Sequence, residues 1–305
     1  MMKRIGLAIA AVALVLSACA DRGAGSLGRV SEGVPPGDIS SPSPELTTGP
    51  GEGEGNEGTE GEPSEPRTFT YQVWLTQGEG FLFVSRRTAS FEPAVGRIAL
   101  NDLLSGPSQA ERGAFIGTEI PAGTELLDLN IEDGLATVDL SGEFAQGGSS
   151  LEETVRLAQV VYTITQFDTV RSVRFRIDGE PVEVFGSHGI VLDRPQTRRG
   201  YQEHLPAILV ESPTIGQRVG NPVTVSGTAN VFEATVSLRI LNARGKEIAR
   251  TFTTATCGTG CRGDYSVSVA YDVDREQPGV IEVFESSAED GRPINVVRIP
   301  VTLTP

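Results

Sequence analysis

The sequence carries, at residues 126–140, the stretch Leu-Leu-Asp-Leu-Asn-Ile-Glu-Asp-Gly-Leu-Ala-Thr-Val-Asp-Leu, which decides the fold of its first domain. Residues 126–131 and 135–140 predict two strands, and the Glu-Asp-Gly step between them is typical of a β-hairpin. In the second strand apolar and polar side chains alternate, so we expect one face of the hairpin to pack on a core. The apolar positions of that strand are Ala136, Val138 and Leu140.

The segments around this hairpin predict further strands and two helices. Ser150, with Glu153 three residues later, is typical of a capping box, so we expect a helix to begin there. The order β-β-α-β-β-α-β over residues 67–187 predicts an α+β domain, with one mixed sheet and two helices packed on it. The remaining predictions are strands at 68–74, 81–84, 172–177 and 181–185, a helix at 93–104, and a buried face of the second helix made of Leu151, Val155, Ala158, Val161, Tyr162 and Thr165.

The last part of the chain, residues 207–305, has an all-β pattern. About seven short segments alternate apolar and polar side chains between turns, which is typical of an immunoglobulin-like β-sandwich. The Cys…Trp…Cys arrangement of many such domains is missing, because the single tryptophan is Trp74. Residues 188–206, which hold both histidines, His188 and His204, predict an interdomain linker.

The N-terminus has the pattern of an export signal. Lys3 and Arg4 precede an apolar run that ends in Leu-Ser-Ala-Cys19. Residues 1–18 therefore predict a lipoprotein signal peptide, and this ending resembles the bacterial lipobox, in which Cys19 would receive fatty acids such as palmitate. The alternative is an uncleaved anchor helix with an incidental cysteine. On the first interpretation the protein is exported and anchored through Cys19 to the outer face of the cell membrane.

Residues 19–66 form an acidic segment rich in Gly, Pro and Glu. A chain of this composition lacks the apolar residues for a core and repels itself, so it predicts a disordered linker. The linker would hold the folded domains away from a membrane surface. An acidic binding tail is the alternative interpretation.

Charge and composition argue against several classes of function. The formal net charge of −15 argues against a nucleic-acid partner, which normally requires a basic face. The sequence offers no catalytic motif, no cofactor motif and no metal-ligand spacing, so we expect a protein that is not an enzyme.

Once Cys19 is acylated, Cys257 and Cys261 are the remaining thiols, and in an exported chain they predict a disulfide. Free thiols or a redox pair are the alternatives.

Five stretches of the first domain resemble the GerMN domain of sporulation and spore germination proteins. They are Leu-Asn-Asp-Leu-Leu-Ser-Gly-Pro at 100–107, Ile-Pro-Ala-Gly-Thr at 120–124, Val-Asp-Leu-Ser at 138–141, Arg-Leu-Ala-Gln-Val-Val-Tyr at 156–162 and Asp-Gly-Glu-Pro-Val at 178–182.

The second domain resembles the immunoglobulin-like domain that is often fused after GerMN in bacterial surface lipoproteins. The stretches that carry this resemblance are Ile-Leu-Val-Glu-Ser-Pro at 208–213, Val-Ser-Gly-Thr-Ala-Asn-Val-Phe-Glu at 225–233 and Ser-Ala-Glu-Asp-Gly at 287–291.

The resemblance implies a binding or scaffold role and supplies no catalytic residues. We expect a lipid-anchored envelope protein that contributes to envelope, cell-wall or sporulation-related assembly through protein or peptidoglycan contacts. The alternative is an accessory peptidoglycan hydrolase. GerMN domains are similar to ring-building modules, which implies weak self-association, whereas the acidic charge opposes close approach of copies. We therefore expect a monomer in solution.

Overall fold

The structure of the protein is a computed structural model that describes residues 67–78 and 80–305. The predicted signal peptide (1–18), the lipid-attachment residue Cys19 and the predicted linker (19–66) lie outside the described residues. Those three interpretations therefore stay predictions. Among the described residues, no helix combines the length and the apolar character needed to cross a membrane.

The first domain has the α+β composition that the sequence predicts. The predicted helix at 93–104 is present as α1, the predicted strand at 181–185 is divided in two, and α2 was not predicted. The elements in chain order are β1 (Thr68–Gln77), β2 (Phe81–Ser90), α1 (Val95–Leu104), α2 (Gln109–Gly113), β3 (Ile116–Gly117), β4 (Leu126–Glu132), β5 (Leu135–Leu140), α3 (Ser150–Ile164), β6 (Ser172–Ile177), β7 (Glu180–Pro181), β8 (Val184–Phe185) and β9 (Ile190–Val191).

These strands form two principal sheets, and the prediction of one mixed sheet is wrong in this respect. One sheet has the order β2-β1-β3 and is antiparallel throughout. The other has the order β4-β5-β6-β7 and is mixed, because β5 and β6 run parallel. The predicted hairpin is β4-β5, so the stretch at 126–140 supplies half of this mixed sheet.

Helix α3 explains why the sheets stay separate, since its side chains occupy one edge of β1. Gln159 Nε2 donates to the Trp74 carbonyl at 2.9 Å, and the Trp74 N–H donates to Thr163 Oγ1 at 3.1 Å. One turn further, the Gln72 N–H donates to Gln166 Oε1 at 2.6 Å. Gln159 and Thr163 are four residues apart and therefore lie on one face of the helix, and Gln166 follows two residues after its end. Backbone groups of β1 that would pair with another strand are instead bonded to this helix and to Gln166.

Helix α3 also begins one residue earlier than predicted. Its N-cap is Ser149, whose hydroxyl accepts from the Glu152 N–H while the Glu152 carboxylate accepts from the Ser149 N–H. The predicted capping pair, Ser150 and Glu153, is therefore wrong. Both pairs satisfy the capping-box spacing, and the structure selects the first because Glu153 is buried elsewhere.

The segment at 188–206, predicted as an interdomain linker, is packed against the first domain. Gln196 exchanges two backbone hydrogen bonds with Val173 at 2.7 and 2.8 Å. A 3₁₀ helix follows at Arg198–His204, and it buries Tyr201 and His204. His204 Nδ1 lies 3.0 Å from the Gly80 carbonyl, so this segment also contacts the turn between β1 and β2.

The second domain is a β-sandwich, as predicted. Its smaller sheet has the order β10-β12-β15 and its larger sheet has the order β11-β17-β16-β13-β14. Alternate residues of β12 and β13 are buried between the sheets, because successive side chains of a strand point to opposite faces. The strands are β10 (Ile208–Ser212), β11 (Arg218–Val219), β12 (Val223–Ala229), β13 (Thr235–Leu241), β14 (Glu247–Thr254), β15 (Gly263–Val269), β16 (Gln277–Ser286) and β17 (Pro293–Leu303).

Candidate functional site

The structure brings Cys257 and Cys261 together in the loop between β14 and β15. Their Cα atoms are 5.7 Å apart, within the range of a disulfide, and the structure pairs the two sulfurs. Gly258 between them has no room for a side chain, since a Cβ there would lie 2.4 Å from the Ala234 nitrogen. The third predicted residue, Cys19, lies outside the described residues.

The cysteine loop is attached to its surroundings by further polar contacts. The Thr259 N–H donates to the Val231 carbonyl at 2.9 Å, and the Gly260 N–H donates to Asn230 Oδ1 at 3.0 Å. Arg262, directly after the loop, donates to the Thr228 and Pro206 carbonyls. The loop therefore connects strand β12 with the end of the 188–206 segment, which is a structural role rather than a chemical one.

A serine, a histidine and a glutamate meet at the N-terminal end of α3, and their geometry bears on the predicted absence of catalysis. Glu153 is fully buried and accepts from both the N–H and the hydroxyl of Ser187, at 2.8 and 2.9 Å. His188 Nδ1 lies 3.1 Å from Ser187 Oγ and 3.2 Å from Glu153 Oε2. In a catalytic triad the acid and the nucleophile contact opposite nitrogens of the imidazole, whereas here both contact Nδ1.

The charge of Glu153 is compensated by this cluster. Burial alone would raise the pKa of Glu153, but hydrogen bonds from Ser187 and His188 outweigh it and lower that pKa below its ordinary value. The carboxylate therefore stays ionised and fixes the 187–188 loop onto α3. Within the described residues, no group of three or more metal-ligating side chains is present.

Three large apolar side chains are exposed around the β1–β2 turn, and we call them the hairpin-tip patch: Phe81, Phe115 and Leu151. Their exposed fractions are 46%, 89% and 46%. In the sheet register, Gln77 is opposite Phe81 on one side and opposite Ile116 on the other, so Phe81 and Phe115 flank the same strand end. Leu151 lies over Gly80, whose positive φ of 80° is suited to glycine.

Phe115 is the most unusual member of this patch. Its backbone is left-handed, with φ of 61°, which is an uncommon conformation for a bulky residue. Strained residues with exposed aromatic side chains are typical of interaction sites, since solvent exposure alone gives no benefit to the fold. Sequence reasoning missed this patch because the residues are far apart in the chain. Leu151 was even predicted to be buried, and that prediction is wrong.

Two family models match the chain. The Germane model, described as sporulation and spore germination, matches residues 77–183. The Gmad2 model, described as the immunoglobulin-like domain of bacterial spore germination, matches residues 207–292. No curated protein sequence matches the chain.

The solved structures to which the chain is similar have low sequence identity with it. The first GerMN domain of the sporulation protein GerM from Bacillus subtilis is 19% identical, with a TM-score of 0.38, and the match covers 43% of this chain and 98% of that one. The tandem GerMN domains of the same protein are 14% identical, with a TM-score of 0.39 and coverage of 78% and 61%. A candidate lipoprotein from Clostridium perfringens is 21% identical, with a TM-score of 0.33 and coverage of 45% and 91%.

Neither family model is described as an enzyme, and together the two models account for more than half of the 305 residues. The predicted order of the two domains is thus confirmed, and the chain belongs to the proteins in which a Germane domain of sporulation and spore germination is followed by a Gmad2 immunoglobulin-like domain.

Proposed function

We propose that this protein is a lipid-anchored scaffold of the cell envelope that binds another protein during sporulation or spore germination. The observation that carries the proposal is the occurrence of Germane and Gmad2 domains in one chain, since both families are described by that process. The lipobox-like ending at Cys19 supports the anchor, because acylation there would hold the folded domains at the membrane.

The hairpin-tip patch favours a protein partner over peptidoglycan. Phe81, Phe115 and Leu151 offer aromatic and aliphatic area, and protein interfaces are enriched in aromatic residues at their centres. A glycan strand, by contrast, would need polar groups arranged along a groove. The Ser187–His188–Glu153 cluster gives the alternative of a peptidoglycan hydrolase no support, because its two hydrogen bonds converge on one imidazole nitrogen.

The partner contact can be tested by placing a photoreactive phenylalanine analogue in the full chain, in cells of its native host. Position Phe115 lies in the patch, and Phe252, an exposed phenylalanine on β14, is the matched control. We expect a discrete crosslinked protein from Phe115 alone. Equal products from both positions, or none from Phe115, would contradict a specific contact through the patch.

The anchor and the alternative activity need separate measurements. Cys19→Ala should abolish incorporation of labelled palmitate and leave the precursor unprocessed, and a labelled, mature variant would contradict the anchor.

The wild-type chain incubated with purified peptidoglycan should release no soluble muropeptides. Release of such fragments would replace the scaffold proposal with the hydrolase alternative.

A further inference from the structure

A cavity of about 340 Å³ on the outer face of the β1–β2 sheet carries two arginines and no carboxylate in its lining. The strand register places Gln72 directly opposite Arg86, and Thr70 lies two residues before Gln72 on the same face. Arg198, from the 188–206 segment, and Thr165, which follows α3, close the cavity. Polar side chains therefore converge here from three parts of the chain, although the chain as a whole carries a strongly negative net charge.

Arg198 is held in a fixed orientation. Its guanidinium lies 4.9 Å from the Tyr162 ring centroid and 5.6 Å from that of Trp74. Its Nε donates to Thr165 Oγ1, and its Nη2 donates to the Tyr162 carbonyl, both at 2.9 Å. Nη1 has no hydrogen-bond acceptor among the described residues, so one face of a preorganised guanidinium is available to a ligand.

Arg87, next to Arg86 in the sequence, has the ion pairs that Arg86 and Arg198 lack among the described residues. Arg87, on the opposite face of β2, forms ion pairs with Asp102 at 3.2 Å and with Glu111 at 3.1 Å. Neither Arg86 nor Arg198 has an ion pair within the part of the chain that the structure describes. Burial lowers the pKa of Arg198, and the charges of Tyr162 and Glu211 only partly oppose this desolvation of the cation.

One carboxylate lies nearby, and its position matters for the test. Glu211, at the start of the sandwich, accepts a long hydrogen bond of 3.4 Å from Gln72 Nε2. It is not within ion-pair distance of either arginine and does not line the cavity. Its charge would nevertheless weaken the attraction of the cavity for an anion.

We propose that the cavity between Arg86 and Arg198 is a binding site for an oxyanion, a carboxylate or a phosphate group. Two guanidinium groups can bind the oxygens of such a ligand through charge-assisted hydrogen bonds. The hydroxyl of Thr70 also lines the cavity, whereas that of Thr165 already donates to the Val161 carbonyl. The site lies on a different surface from the hairpin-tip patch and does not depend on the scaffold proposal.

The site can be tested through Trp74, the only tryptophan of the chain, because Arg198 lies against its ring. The full chain is titrated with inorganic phosphate and, separately, with acetate, while chloride keeps the ionic strength constant. We expect a saturable change in tryptophan emission, and the effective titrant identifies the oxyanion. Failure of both titrants to saturate up to about 100 mM would overturn the proposal.

Three variants distinguish this site from general anion attraction. Arg86→Gln should raise the dissociation constant by about tenfold or more, since it removes a charged hydrogen bond without touching Trp74. Glu211→Gln should lower it several-fold, because it removes the nearest opposing charge. Arg174→Gln, an exposed arginine on β6, should leave it unchanged. Equal affinity of the Arg86→Gln variant and the wild type would overturn the proposal.

Discussion

Helix α3 of the Germane domain and strand β13 of the Gmad2 domain are both largely buried, but they differ in the polarity of the side chains that they bury. The buried positions of β13 are apolar and alternate regularly along the strand. The helix buries polar and charged side chains, each with hydrogen-bond partners in strands or loops around it. The helix residues are Glu153, Arg156, Gln159 and Thr163, and the strand residues are Val236, Leu238 and Ile240.

The difference extends to the two domains as a whole. Tyrosines aside, only Glu282 among the polar side chains buried in the described residues belongs to the sandwich, where it bonds to Arg239 at 2.5 Å and Arg298 at 2.9 Å. All the others precede residue 207. A core of alternating apolar side chains follows from periodicity alone, whereas a core held by polar networks depends on each partner being present.

Removal of Arg156 should have the largest effect on stability. Arg156 is buried and donates to the carbonyls of Glu119, Phe144, Gln146 and Gly147. Arg156→Met should lower the free energy of unfolding by about 3–5 kcal/mol, because it leaves several carbonyls without donors. Urea unfolding followed by Trp74 fluorescence measures this loss. Arg174→Met is the exposed control, and an equal loss in both variants would contradict the polar network.

Acid should weaken the Germane domain through Glu153. Because the folded-state pKa of Glu153 is lowered, its contribution to stability is present above its ordinary pKa of about 4.5 and is lost as pH falls through the folded value. Urea midpoints measured between pH 7 and acid pH should therefore fall for the wild type. The fall should be shallower for Glu153→Gln, while the exposed control Glu183→Gln follows the wild type. Parallel curves for all three proteins would contradict this role.

A smaller loss is expected at the edge of β1. Thr163→Val keeps the shape of the side chain but removes the acceptor of the Trp74 N–H, which is buried. An unsatisfied buried donor should lower the free energy of unfolding by about 1–3 kcal/mol. The matched control is Thr154→Val on the exposed side of the same helix, where the hydroxyl bonds only to the helix itself. Equal stability of Thr163→Val and the wild type would show that helix side chains do not hold this edge.

The smallest change is expected in the sandwich. The five-residue ring of Cys257 and Cys261 constrains little of the unfolded chain, so Cys257→Ser/Cys261→Ser should lower the free energy of unfolding by only about 1–2 kcal/mol. Circular dichroism should show that the variant keeps its β structure. Intact-mass measurement with alkylation before and after reduction tests the disulfide itself, and two thiols alkylated before reduction would exclude it.

The same contrast explains what could be predicted from the sequence. The strands of the sandwich and the β4–β5 hairpin follow a period of two, which is visible in a single sequence. On α3 the apolar pattern correctly indicates a helix but predicts the wrong buried face. Leu151 fits the apolar stripe and is exposed, whereas Arg156 and Gln159 do not fit it and are buried. Nothing local in the sequence shows that Gln159, Thr163 and Gln166 bond to a strand some 90 residues earlier.

The site residues illustrate the same limit. The sequence predicts the pairing of Cys257 with Cys261 because the two residues are close in sequence, and it stays a prediction until the thiols are measured. The hairpin-tip patch and the Arg86–Arg198 cavity join residues from distant segments, and their chemistry appears only when the sheet register is known. The segment at 188–206 was expected only to connect domains, yet it supplies one of the two arginines.

The left-handed backbone of Phe115 has a consequence for how this position would evolve. Replacement by glycine would relieve the conformational strain and raise stability by about 1 kcal/mol, while removing the exposed ring. Under selection for stability alone, such a residue would be lost. If related chains keep a phenylalanine at this position, the ring is retained for what it binds. The cost of that retention is a lower stability of the fold.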